Sequence, residues 1–138
     1  MRTLNKQPKK PFFIISAEIK GATYEENKSY TDKLGKELKD LNLKYMQTNG
    51  SYKGRPEVCY LVTTDTLEKA HSYGSALCEA YDQESFIVAD SNRNAECIYF
   101  DGNKEKFKFL LVNVTTKEAY PGWFHNKLTD KYYTLVRR

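Results

Sequence analysis

The stretch FFIISAEI, residues 12–19, is the strongest strand signal in the chain. It is dominated by aromatic and β-branched side chains, which is typical of a strand buried on both faces at the centre of a sheet. Residues 26–42 follow with apolar side chains at helical spacing, so that they share one face of a helix. These apolar side chains are Tyr30, Leu34, Leu38 and Leu41. We therefore expect an α+β fold organised around residues 12–19.

Further strands surround this centre. They are predicted at residues 44–51, 57–63, 85–89 and 95–100. A turn at 52–56 joins the first two, and a second helix, which begins at Asp65 with Glu68 at capping-box spacing, precedes the strand at 85–89. The order matches the ferredoxin-like β-α-β-β-α-β pattern, an antiparallel sheet with two helices on one face. Residues 103–138 are expected to add a C-terminal hairpin that widens the sheet, with an irregular stretch at 119–125.

The composition is that of one ordinary globular domain, residues 1–138. Within it we expect a flexible basic arm at 1–10, a core at 12–102 and an extension at 103–138. The net charge of +4 is too small for the dense basic patch of a strong nucleic-acid binder. No apolar run reaches the roughly 18 residues that span a membrane, and the polar, basic first residues do not predict a signal peptide. A cytoplasmic protein is therefore the expectation.

The cysteines and histidines exclude several enzyme classes. Cys59, Cys78 and Cys97 are odd in number and lie in apolar contexts, which predicts buried, reduced thiols. Neither His71 nor His125 lies near a nucleophile in a recognisable turn, which disfavours Ser-His-Asp and Cys-His catalysis. Zinc-ligand spacing, a P-loop and G-x-G-x-x-G are all missing from the sequence. Zinc enzymes, nucleotide hydrolases and dinucleotide enzymes are therefore disfavoured, and no metal is expected.

Of the rest of the sequence, the segment GSYKGRPE, residues 50–57, is the strongest candidate for a functional site. Two glycines and a proline shape a chain reversal, which would bring Tyr52 and Glu57 together at the ends of neighbouring strands. A tyrosine beside a carboxylate can bind a ribose or a cation, or orient a reacting group. The alternative is an ordinary hairpin in which Glu57 pairs with Lys53 or Arg55 at the surface.

Two other segments place polar or small side chains at strand ends. Gln83 precedes the strand at 85–89, where its amide can read a polar edge of a ligand; a solvated helix C-terminus is the alternative. Ser16 and Ala17 lie near the end of the first strand, where small side chains let a ligand approach the backbone. For them the alternative is close packing of a central strand.

Together and in this order, these features resemble the phage-encoded S-adenosylmethionine-degrading enzymes, which were long called hydrolases and are understood as lyases. The resemblance covers residues 8–102. It begins with an aromatic-apolar strand that ends in Ser-Ala, and it continues with EENKS at 25–29, where the first helix begins. It then includes Gly-Ser-Tyr at 50–52, Glu57 before a strand, and the junction YDQE at 81–84.

The resemblance implies a carbon-sulfur lyase that takes S-adenosylmethionine as substrate and needs no cofactor. In the family reaction the methionine carboxylate attacks its own γ-carbon, which releases methylthioadenosine and leaves homoserine lactone. Loss of the methyl donor would serve phage anti-restriction. On this basis Tyr52 orients the substrate near the sulfonium, Glu57 fixes it by hydrogen bonding, and Gln83 contacts a polar edge. Ser16 and Ala17 are implied as substrate-binding residues.

The resemblance also implies a homotrimer with sites between subunits. An aromatic ring is expected to stack on adenine, and the candidates are Phe12, Phe13 and Tyr45. Two other function classes remain open. A protein of the same fold that binds without turnover would be a non-catalytic anti-defence protein for a nucleotide-like ligand or a host protein. A nucleic-acid-binding domain that uses the basic arm and the tyrosines is a weaker alternative.

Overall fold

The computed structural model describes the backbone of residues 10–52, 55–112, 123–126 and 131–137, and the side chains of residues 10–50 and 57–107. The strands are β1 (Phe12–Ser16), β2 (Lys44–Tyr52), β3 (Arg55–Thr63), β4 (Ser85–Ala89), β5 (Asn94–Tyr99), β6 (Lys104–Val112), β7 (Trp123–Asn126) and β8 (Lys131–Arg137). The helices are α1 (Tyr24–Asp40) and α2 (Leu67–Ala80). Neither helix of the described chain combines the length and the hydropathy needed to span a bilayer.

The described strands form one antiparallel sheet in the order β1-β3-β2-β7-β8-β6-β5-β4, and pairing of β4 with β1 closes it into a barrel. The first four strands take the order β4-β1-β3-β2, which is compatible with the predicted ferredoxin-like core. The C-terminal strands do not merely widen the sheet as predicted, because β7 pairs with β2 and completes the ring. The irregular stretch expected at 119–125 is also wrong in part, since β7 begins at Trp123.

Both helices pack on the outer face of the closed sheet, so the predicted α+β class with two helices on one face is confirmed. Leu34 and Leu38 of α1 have no exposed surface. They pack in one cluster with residues of α2 and with strand residues on the outer face of the sheet. This outer cluster includes Phe13, Ile15, Tyr60, Val62, Ala70, Leu77, Phe86 and Val88. Burial of each large apolar side chain contributes about 1.5–3 kcal/mol. The buried stripe of α1 is shorter than predicted, because Tyr30 and Leu41, at its two ends, are 36% and 41% exposed.

The inner face of the closed sheet holds a second apolar cluster, toward the end where β1 begins. It contains Phe12, Ile14, Cys59, Leu61, Ala89 and Ala95, with Met46, Ile87 and Phe107 packed against them. Side chains alternate between the two faces of a strand. The strand at 12–16 therefore contributes to both clusters at once, which explains its nearly continuous apolar sequence.

The helix starts differ slightly from the predicted ones. Thr23 caps α1 in a complete capping box with Glu26, and α1 begins at Tyr24, two residues before the predicted start. The N-cap of α2 is Thr66 and not Asp65, because the Thr66 hydroxyl accepts the Lys69 N–H at 3.1 Å. Asp65 instead forms an ion pair with Lys10 at 3.3 Å.

Candidate active site

A cavity of about 230 Å³ lies at the end of the closed sheet where β1 finishes and β3 and β4 start. Its walls come from residues 18–20 after β1, from Glu57 on β3, and from residues 82–85 between α2 and β4. Loops and strand ends on a rigid scaffold are where binding and catalytic groups most often lie. The cavity brings together two of the predicted site residues, Glu57 and Gln83, and Ser16 ends the strand that leads into it.

The chain turns away from the sheet at a corner after β1. Here side chains form the hydrogen bonds to β3 that backbone groups form along the strand. The Ser16 hydroxyl donates to the Val58 carbonyl at 2.8 Å and accepts the Glu18 N–H at 3.1 Å. The Glu18 carboxylate then accepts the Val58 N–H at 2.7 Å. Because these contacts take over the backbone partners, β1 ends at Ser16 and not at residue 19 as predicted. Glu18 is thereby held at the cavity wall by a charge-assisted hydrogen bond.

The predicted roles of Ser16 and Ala17 as substrate contacts stay predictions. The hydroxyl of Ser16 is committed to two backbone groups, and the residue is 4% exposed. Ala17 is 2% exposed and belongs to the outer apolar cluster. What the structure shows directly is that the small side chains allow the tight corner that positions Glu18.

Gln83 ties the loop after α2 to the same corner. Its Nε2 donates to the carbonyl of Glu18 and to the carbonyl of Tyr81, both at 3.1 Å. Both hydrogens of the amide are therefore used by backbone oxygens. The edge that Gln83 can offer to a ligand is its carbonyl Oε1, which accepts hydrogen bonds from an amino group or a hydroxyl.

Glu57 lies opposite Gly50 in the β2–β3 ladder, whereas Tyr52 lies opposite Arg55. Pairing of the two strands continues to Tyr52 and Arg55, so both strands extend into the segment predicted as a turn at 52–56. Tyr52 and Glu57 are consequently offset by two ladder positions and are not direct cross-strand partners. The side chain of Tyr52 lies outside the described residues, and its role stays a prediction, as does that of Glu57.

The thiol of Cys59 lies beside the Glu57 carboxylate, with Sγ 3.8 Å from Oε1. Burial raises the pKa of Cys59 well above its ordinary value, and the negative charges of Glu57 and Glu18 raise it further. The thiol is therefore neutral at physiological pH and is a poor nucleophile. Cys59, Cys78 and Cys97 are all buried, as predicted, and none of the three forms a disulfide.

The structure places none of the three predicted adenine-stacking rings at the cavity. Phe12 and Phe13 have no exposed surface, because they fill the inner and outer clusters. Tyr45 is 39% exposed but lies near the start of β2, and its ring packs edge-on against Tyr60 at 5.6 Å between centroids. Of the histidines, His71 lies on α2 outside the cavity lining.

The cavity carries a marked excess of negative charge. Its acidic lining residues are Glu18, Glu57, Asp82 and Glu84. Lys20 is the one basic residue among the described lining residues. Opposite charges attract more strongly where the walls exclude part of the solvent, so such a lining favours a cationic ligand. Within the described part of the chain, no group of His, Cys, Asp and Glu converges closely enough to hold a metal ion.

Sequence reasoning missed Glu18, Asp82 and Glu84. A signal for Glu18 was present, since a carboxylate that directly follows two small residues at the end of a buried strand must emerge at the sheet end. Asp82 and Glu84 flank the predicted Gln83, and the same loop carries all three. The residues next to a candidate at a strand end therefore indicate the cavity lining as well as the candidate itself does.

The S-Adenosylmethionine lyase family model matches residues 13–136, which is nearly the whole chain and includes the extension that the resemblance did not cover. No curated protein matches the sequence. The substrate of this family carries a sulfonium, in agreement with an acidic cavity. The chain belongs to the S-adenosylmethionine lyase family and is a lyase that acts on S-adenosylmethionine.

Proposed function

We propose that this chain cleaves S-adenosylmethionine by intramolecular displacement. The substrate carboxylate attacks its own γ-carbon while the bond between that carbon and sulfur breaks. The electron pair of the broken bond stays on sulfur, which leaves as the neutral thioether methylthioadenosine. The other product is homoserine lactone, which keeps the α-ammonium group. No water is consumed in this step, so no general base is required.

The acidic lining of the cavity is the observation that carries this proposal. The substrate presents two positive groups, a sulfonium and an α-ammonium, and four carboxylates against one lysine favour both. The attacking carboxylate and the sulfonium cancel each other's charge in the transition state. Such a reaction gains most from holding the substrate in a folded, attack-ready shape. Rigid groups such as Glu18 and Gln83, which are fixed to the backbone, suit this task.

On this proposal three of the predicted residues have a defined task. Glu57 faces the sulfonium from the wall of β3. Gln83 accepts a hydrogen bond from the substrate through Oε1, since its amide hydrogens are used elsewhere. Tyr52 orients the reacting part of the substrate. No cofactor takes part in the step.

Incubation with S-adenosylmethionine, followed by chromatography, tests the proposal. We expect methylthioadenosine and homoserine lactone in equal amounts. Tyr52→Phe and Glu57→Gln should each lower turnover by roughly tenfold or more, which corresponds to about 1.4 kcal/mol. Glu68→Gln, an exposed carboxylate at the start of α2, is the matched control and should leave turnover unchanged. Binding of S-adenosylmethionine without any product would instead support a non-catalytic binding protein.

A homotrimer with sites between subunits is a second part of the proposal. The described residues of one chain enclose about 230 Å³, whereas ligand pockets usually measure about 300–1,000 Å³. A second copy that covers the cavity would enclose the rest of the substrate. Sedimentation equilibrium should then give three times the chain mass. A monomer with full activity would contradict this part.

The biological role that we propose is anti-restriction during phage infection, through depletion of the methyl donor. The role follows from the proposed reaction, since methylation cannot proceed without S-adenosylmethionine. Expression in a bacterial host should lower cellular S-adenosylmethionine and protect infecting phage DNA from a restriction system that needs it. Equal protection by an inactive Glu57→Gln variant would indicate a binding mechanism.

A further inference from the structure

The inner face of the closed sheet is apolar at one end and polar at the other. At the end where β1 begins it is apolar and closed, since Phe12, Ala89 and Ala95 are at most 1% exposed. Toward the candidate active site the same face carries hydroxyls, thiols and carboxylates. These side chains are Ser16, Thr48, Glu57, Cys59, Ser85, Cys97, Tyr99 and Glu105. Buried polar groups cost free energy unless they are paired, so a polar half-interior is not what packing alone would select.

A tyrosine–glutamate pair lies within this polar half. The Tyr99 hydroxyl donates to the Glu105 carboxylate at 2.5 Å, and Cys97 lies directly opposite Glu105 in the β5–β6 ladder. The hydrogen bond to Glu105 raises the pKa of Tyr99 far above its ordinary value, and burial raises it further. Tyr99 therefore stays protonated and directs its hydrogen to Glu105. Its phenol oxygen, which also hydrogen-bonds the Cys97 side chain, carries the lone pairs of a hydrogen-bond acceptor.

The pair is connected to the candidate active site through β4. Ser85 lines the cavity and lies directly opposite Tyr99 in the β4–β5 ladder. The carbonyl of Glu84, another lining residue, accepts the Phe100 N–H at 2.8 Å and fixes the adjacent turn. Ser85, Tyr99 and Glu105 are all half-buried although they belong to the inner face. Tyr99 therefore lies on the inner face directly beside a residue of the cavity lining, and Glu105 lies on the next strand.

We propose that Tyr99 and Glu105 bind the α-ammonium group of the methionine part of the substrate, on the inner face of the closed sheet beside the cavity. The proposal rests on the proposed function. A carboxylate and a phenol oxygen both accept hydrogen bonds, and an ammonium donates three, whereas a sulfonium donates none. The pair thus suits the ammonium, and the carboxylates of Glu18 and Glu57 at the cavity wall remain for the sulfonium. Tyr99 and Glu105 are positioning residues on this proposal. The α-ammonium and the attacking carboxylate are attached to the same carbon of the substrate, so holding the first orients the second.

The chain offers a matched control for this pair. The Tyr81 hydroxyl donates to the Glu37 carboxylate at 2.6 Å, in a bond that links the end of α2 to α1 on the outer face. Loss of either hydroxyl removes one tyrosine–glutamate hydrogen bond of similar length. Tyr99→Phe and Tyr81→Phe should therefore lower the unfolding temperature to a similar extent. Only the first should change binding of the methionine part.

The test compares two ligands that are not cleaved, S-adenosylhomocysteine, which has the α-ammonium, and methylthioadenosine, which lacks it. Calorimetric titration of Glu105→Gln should show S-adenosylhomocysteine binding weakened by at least about tenfold, or 1.4 kcal/mol. Methylthioadenosine binding should stay within about twofold of wild type. Tyr99→Phe should act in the same direction, and Tyr81→Phe should change neither ligand. For S-adenosylmethionine itself, KM should rise more than kcat falls in Tyr99→Phe.

Each outcome decides the proposal. Unchanged S-adenosylhomocysteine binding in both variants, or equal weakening of both ligands, would overturn it while wild-type cleavage of S-adenosylmethionine leaves the proposed function intact. A wild-type protein that neither cleaves S-adenosylmethionine nor binds the two ligands would overturn both. If Glu105→Gln does not fold, Tyr99→Phe carries the test, because it removes a single oxygen atom.

Discussion

Substitution of Glu18 by glutamine isolates the charge of the cavity from its architecture. The Glu18 carboxylate accepts the Val58 N–H at 2.7 Å, and the carbonyl oxygen of a glutamine can accept the same hydrogen. The corner after β1 should therefore survive in Glu18→Gln. What is lost is one of four negative charges that line the cavity. Glu18→Ala, by contrast, should remove both the charge and the hydrogen bond.

Coulomb's law gives the size of the effect for an assumed distance between the Glu18 carboxylate and the sulfonium. At a separation of about 6 Å a carboxylate attracts a sulfonium by about 0.7 kcal/mol in bulk water and by about 2.8 kcal/mol at an effective dielectric constant of 20. Glu18 is half-buried, so its environment lies between these limits. An intermediate value of about 1.4 kcal/mol corresponds to a tenfold loss of affinity. The loss should shrink in high salt, because the cavity is open to solvent.

The assay is titration of S-adenosylmethionine and S-adenosylhomocysteine into wild type and Glu18→Gln, with rapid mixing for the cleaved ligand. Binding of S-adenosylmethionine should weaken by roughly tenfold. Binding of S-adenosylhomocysteine, whose sulfur is neutral, should change much less. Glu68→Gln serves as the distant control of equal charge. Equal weakening of both ligands, or no weakening in the folded variant, would refute the assignment of Glu18 to the sulfonium.

Three further predictions follow from contacts of the described residues. Gly74→Ala should destabilise the protein by about 1–3 kcal/mol, measured by thermal unfolding, because the new Cβ would lie 2.5 Å from the ring of Phe86 in the outer cluster. Burial, with a smaller contribution from Cys97, raises the pKa of Cys78 to about 11 from 9.0. Since the unfolded thiol ionises first, the free energy of unfolding should fall as pH rises from 9 toward 11, and less so in Cys78→Ala; a flat profile in wild type would contradict this. Gln83→Ala should raise KM and lower the unfolding temperature together, because it removes two backbone contacts and one ligand acceptor.

The element order could be predicted from the sequence because it depends on local patterns. The apolar run at 12–19, the turn signals and the helical spacing each act within about ten residues. Closure of the sheet could not be predicted in this way. It depends on pairing of β7 with β2, such as Gly50 with Phe124, across more than seventy residues of chain. The four-residue strand WFHN shows no period that distinguishes it from a loop.

The cavity lining was predictable where a residue's type and its place at a strand end coincided, as with Glu57 and Gln83. It was not predictable where register or burial decided. The register of β2 and β3 places Tyr52 opposite Arg55, and only the ladder shows this. The contact of Tyr99 with Glu105 is local to the hairpin of β5 and β6, but closure of the sheet decides that this hairpin is part of the wall around an interior.

The most direct test of the proposed reaction is cleavage of S-adenosylmethionine in water enriched in oxygen-18, followed by mass spectrometry of the homoserine-derived product. Intramolecular attack forms the lactone from the substrate's own oxygen, so the first-formed lactone should contain no heavy oxygen. Any homoserine that forms from it later by ring opening should carry the label in its carboxylate. Heavy oxygen in the γ-hydroxyl of homoserine would show that water attacked the γ-carbon, and it would contradict the intramolecular mechanism.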